Sequence, residues 1–126
     1  MATPLILPSV VGFICPGTPG ADWEKDSAEI HSVAIKLGCV VAAIVYDIPG
    51  RYLPFGRITS TAWSADSIAV IVPNDRHLSA GEVDDLLAVG DVIFIESAKR
   101  HTAIGREVKV TDLWNSGPVG TSSTDR

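Results

Sequence analysis

Apolar residues fall along this chain in short blocks, each ended by glycine, proline or a capping polar residue. The succession is clearest in Ser67–Ile95. Ser67–Val72 is a β-branched run too short for a helix, and Pro73 and Asn74 stop it. Ser79 then has Glu82 three residues on, the spacing of a capping box. Val83, Leu86 and Leu87 share one helical face, and Gly90 sits where a helix would turn left-handed and end. Asp91–Ile95 is a second buried strand. Two apolar strands joined by a crossover helix predict a parallel βαβ unit.

The same logic orders the rest. Ser9–Cys15 (SVVGFIC) reads as a central strand buried on both faces. Asp22 is a good N-cap, Glu24 and Asp26 suit the positive end of a helix, and Ile30, Ala34 and Leu37 recur at helical spacing. The helix therefore spans Asp22–Leu37, with Gly38 after it. Cys39–Tyr46 is the second strand. Asp47–Arg57 contains two prolines and two glycines and reads as a long loop; Ile58–Ala65 reads as a short helix. Glu96–Gly105 is polar, and Arg106–Leu113 alternates as a half-exposed edge strand. Ser116–Arg126 reads as a disordered tail after a single domain over residues 1–115. The sum is an α/β protein: a three-layer α/β/α sandwich on a mainly parallel four- to five-stranded sheet of order 2-1-3-4.

Composition narrows the function. The 126 residues suffice for one core, which is rich in β-branched and aliphatic residues because only 6% are aromatic. Fifteen acids against ten Lys and Arg give a net charge of −5, a poor basis for nucleic-acid binding. Two cysteines make no disulfide framework, so a reducing cytoplasm is expected. Neither a signal peptide nor a membrane-spanning run is visible. No His, Cys, Asp and Glu set has zinc-ligand spacing, and no cofactor motif is present.

From Val10 to Ile95 the chain resembles the catalytic domain of serine recombinases, the resolvase–invertase family. Gly12-Phe13 matches that family's Gly-Tyr in the first strand. Lys36-Leu37-Gly38 matches the end of its first helix. Asp47 and Gly50 match its second strand and loop, and Asp75-Arg76 begins its Asp-Arg motif. The resemblance implies a resolvase-like fold and also marks what is missing. The nucleophilic serine falls on Gly17, with Thr18 beside it. The family's arginines fall on Cys15 and Ser79, and neither Arg51 nor Arg57 has the spacing of the loop arginine. Only Arg76 is in place. A glycine cannot attack a phosphate. The stretch after Ile95 reads neither as the family's dimerisation helix nor as its DNA-reading module.

The resulting expectation is a domain without catalytic residues that acts on a protein partner or as a homodimer. Candidate ligand or partner contacts are Gly17, Thr18, Asp47, Arg51, Tyr52, Phe55, Arg57, Asp75, Arg76 and His77. Arg51–Arg57 mixes aromatic and guanidinium groups as interfaces do, though it could also fold its aromatics onto the core. Two alternatives stand. One is small-molecule or nucleotide binding in the crevice near Gly17, Asp47 and Asp75. The other is a DNA-recombination accessory role. A Cys15 nucleophile served by His77 is geometrically open, since strands one and three are neighbours, but no local signature supports it. Lys99, Arg100, His101, Arg106 and Lys109 form a basic cluster that is either solvated charge or an anion patch.

Overall fold

The computed structural model describes residues 7–15, 22–46, 54–78, 80–104 and 107–113, with side chains at 54–57, 80 and 104 outside the description. Six strands form one mixed sheet: β1 (Ser9–Ile14), β2 (Val40–Tyr46), β3 (Ser67–Val72), β4 (Asp91–Phe94), β5 (Lys99–Ile104) and β6 (Glu107–Asp112). Their order is β2-β1-β3-β4-β5-β6. The first four strands in that order are parallel, and the last two add antiparallel.

Helix α1 (Trp23–Lys36) forms where the sequence predicts. Asp22 caps it by accepting from the Lys25 N–H at 3.2 Å, and Gly38, at φ 75°, follows its last turn in the left-handed region. Ile30, Val33 and Ala34 of α1 pack with Val10, Ile14, Ala69, Ile71 and Ile93 on one face of the sheet. Helices α2 (Pro54–Ser64) and α3 (Ala80–Leu86) cover the other face, where Ile58, Ala62, Leu86 and Leu87 meet Val11, Phe13, Val70, Val72 and Phe94. The period-2 alternation of β1 and β3 thus feeds two apolar cores, and the molecule has three layers.

Four expectations are corrected. The sheet has six strands rather than four or five. The polar stretch after Ile95, which its pattern assigns to no element, holds a strand: Lys99–Ile104 form β5, which pairs with the expected edge strand β6 as a hairpin. Cross-strand pairing explains this, because Asp91 holds Arg100 in an ion pair and Phe94 meets the His101 ring edge-on at 5.3 Å. The loop read as far as Arg57 ends sooner, since Pro54 opens α2, a position where its missing N–H costs nothing. Gly90 is not left-handed. A Cβ there would lie 2.8 Å from the Ile68 carbonyl oxygen, so glycine lets the chain pass close to β3.

Candidate functional site

In the parallel part of the sheet the connections leave β1 toward β2 on one side and β3 toward β4 on the other. The C-terminal ends of β1 and β3 therefore flank a topological switch point, where open α/β sheets place their crevices. Cys15 follows β1 there. After β3 the chain makes a tight turn in which Asn74 Oδ1 accepts from the Arg76 N–H at 3.0 Å, followed by a 3-10 turn over Asp75–His77. That turn delivers His77 to the end of β1. The Cys15 backbone N–H donates to His77 Nδ1 at 2.9 Å across 62 residues of sequence.

This bond sets the tautomer. Nδ1 accepts, so the neutral ring carries its proton on Nε2. Nε2 is buried and without a hydrogen-bond partner. Burial lowers the His77 pKa below 6.5; the Asp26 charge opposes that shift and the Arg76 charge adds to it. His77 thus bonds the Cys15 backbone rather than its thiol. The two thiols lie in the separate cores on opposite sheet faces, and burial pushes the Cys39 thiol up.

The N-terminus of α1 at the same edge is occupied by its own acids. Asp26 is buried and its Oδ2 accepts from the Asp22 N–H at 3.2 Å. With Asp22 and Glu24 alongside, this end of the helix repels a phosphate. Nor is Arg76 free at this edge. Its guanidinium makes two bonds to the Glu96 carboxylate, at 3.3 and 3.2 Å, on the surface. Lys99 pairs with Asp112 and Arg100 with Asp91, so these two members of the basic cluster are spoken for.

A cleft of about 510 Å³ opens beyond the C-terminal ends of β3 and β4, between α3 and the β5–β6 hairpin. Leu78, Leu87 and Phe94 floor it, and Asp75, Asp84 and Glu96 stand at its rim. His101 lines it in neutral form, its pKa lowered by burial.

Of the sequence-derived candidates, His77 lies at the switch point, Asp75 at the cleft, and Arg76 between them on Glu96. Gly17, Thr18, Asp47, Arg51 and Tyr52 lie outside the described residues. Phe55 and Arg57 fall on the first turn of α2 rather than in a loop, with their side chains outside the description. Sequence reasoning missed Asp26, Asp84, Glu96 and Val108. Only tertiary packing brings them to these places, and as single charged or aliphatic residues they carry no motif. Among the described residues no group of His, Cys, Asp and Glu could hold a metal, and no helix is long and apolar enough to cross a membrane.

No protein-family model matches the chain, and no curated protein aligns with it. The likeness to serine recombinases therefore rests on residues such as Gly12, Asp75 and Arg76 and assigns no family.

Proposed function

We propose that this chain is a non-catalytic α/β domain that works by protein–protein association, and that its first partner is a second copy of itself, paired through β2. One contrast carries the reading. Among the described residues the sheet has two open edges. β6 (EVKVTD) bears Glu107, Lys109 and Asp112, the charges that keep a free edge from pairing. β2 (VVAAIVY) bears none, has no proline, and is exposed at Val40, Ala42 and Tyr46. A bare apolar edge of seven residues is a template for another strand. A two-fold axis brings two identical edges together antiparallel, which needs no complementary partner sequence. Exposed apolar residues on α1, which packs against β2, widen the seam: Trp23 is 54% and Ile35 74% exposed, and Trp23 stacks edge-on against Tyr46. The seam needs this addition, because a stable interface buries at least roughly 1,200 Å².

The recombinase likeness fits this reading as a scaffold whose nucleophile position is Gly17. Two free, buried thiols suit a reducing compartment such as the cytoplasm.

Light scattering across a concentration series tests the proposal. A mass twice the 13.3 kDa chain is expected. Ala42→Lys places a charge on the exposed edge and should return a folded monomer. A wild-type monomer throughout the series, or a dimer indifferent to Ala42→Lys, overturns the assignment.

A second reading has one observation in its favour. The buried, unpaired Nε2 of His77 can donate to an acceptor on a small molecule in the switch-point crevice. The α1 carboxylates favour neutral ligands over phosphorylated ones. In a thermal-shift screen a neutral carbonyl compound should raise the melting temperature of the wild type and not of His77→Leu. A panel without any shift discards this reading.

A further inference from the structure

The layer of helices over the α2–α3 face stops short of the sheet. Helix α3 has seven residues and packs on β4. Beyond it no helix among the described residues covers the hairpin on the same face. Val108 stands opposite Ala103 and Val110 opposite His101 across the antiparallel pair, so all four share a side. Ala103 packs against the α2–α3 core, and His101 meets Phe94, which fixes that side as the one α3 covers elsewhere. Val108 is 47% and Val110 52% exposed. The cleft floor of Leu78, Leu87 and Phe94 therefore continues outward as an apolar strip along β6.

Lys99 and Asp112 share the strip's side and neutralise each other, so the charge left beside the strip is acidic. Asp75, Asp84 and Glu96 rim the cleft. The cation that meets them, Arg76, stands outside the lining and neutralises Glu96 alone. His101 is neutral and adds no positive charge. An apolar trough with an acidic rim, lying where the next helix of the layer would sit, matches a helix with one apolar face flanked by lysine or arginine.

We propose that the trough between α3 and the β5–β6 hairpin docks a basic amphipathic helix of a partner protein, seated beside α3 as a further helix of that layer. Its aliphatic side chains enter over Phe94 and Val108, and its cations face Asp75 and Asp84. The strip running past the cleft along Val108 and Val110 is longer than a small cation can cover. This favours a helix over a free amine. The surface lies at the β6 end of the sheet, away from the β2 edge, and does not depend on dimerisation.

Fluorescence anisotropy on the full chain tests it, using a labelled peptide with leucine on one helical face and lysine on the rest. A scrambled peptide of the same composition keeps the charge and loses the face. Saturable binding of the first and at least about 10-fold weaker binding of the second are expected. Asp84→Lys should weaken binding about 10-fold and Val108→Ser several-fold, whereas Glu29→Lys on α1, with the same change in charge, should alter it by less than about 2-fold. Ala42→Lys should bind as the wild type does, so failure of the dimer reading leaves this test standing. Absence of saturable binding overturns the proposal. So do equal losses for Asp84→Lys and Glu29→Lys, equal binding of the scrambled peptide, or displacement by butylamine at peptide-like concentrations.

Discussion

His77 is the residue whose chemistry is most constrained. It is buried, accepts from the Cys15 N–H, and is held neutral by burial. Its folded pKa lies below that of the unfolded chain, so the unfolded state takes up its proton first as the solution is acidified. The stability contribution is complete above the unfolded value near 6.5 and is lost as pH falls from there toward the folded value. His101 is shifted in the same direction, also by burial, and adds to the loss. Urea unfolding midpoints should therefore fall between about pH 8 and pH 5. His77→Asn keeps a short-reach acceptor for the Cys15 N–H and should make that fall shallower. His77→Leu leaves the N–H unpaired and should cost about 1–3 kcal/mol at neutral pH. An unchanged acid slope in His77→Asn would show that the ring titrates freely in the folded chain.

At the scale of elements, the two ends of the sheet are built on different rules. β2 is apolar because it lies between helix-covered faces, yet among the described residues its outer backbone has no neighbouring strand. β6 alternates valine with charge, and its hairpin is tied to β4 by the Asp91–Arg100 ion pair, whose side chains are only 19% and 29% exposed. Between these ends, α3 is short and is joined to β4 through a segment pressed against β3. The Gly90 contact with the Ile68 carbonyl is to backbone, which cannot rotate away as a side chain can. Gly90→Ala should therefore destabilise by about 2 kcal/mol, at the level of an overpacked core. Thermal or urea melts measure it, and a neutral Gly90→Ala would mean that the α3–β4 segment shifts easily.

At the scale of the whole molecule, three features are proposed as binding places: the β2 edge, the buried His77 imidazole at the switch point and the α3–hairpin trough. They are separate because each arises from a different incompleteness. Among the described residues one sheet edge lacks a strand, one buried imidazole lacks an acceptor, and one sheet face lacks a helix. If β2 pairs with its copy, mass action makes the melting temperature rise with protein concentration, while Ala42→Lys should melt independently of concentration. Neither of the other two places alters that dependence.

Much of this architecture was legible in the residues. Asp22 capping α1, Gly38 ending it, and the β-branched runs of β1, β3 and β4 are local signals, carried by neighbours within a few positions. The three layers followed from right-handed crossovers between those runs, and the order of β2, β1, β3 and β4 from setting β1 at the centre of the sheet. β6 was legible in its alternation of valine with charge, but β5 was not, because KRHTAI shows no apolar alternation and becomes a strand through its pairing with β4 and β6. The site was least legible of all. His77 reaches Cys15 across 62 residues, and Asp84, Glu96 and Val108 meet only when α3 and the hairpin are both in place. Periodicity and capping by themselves determined α1, α3 and the strands β1 to β4 and β6. Only the tertiary structure decided which edge stays open, which imidazole loses its partner and where the helical layer ends, because those depend on contacts whose sequence separation no local pattern encodes.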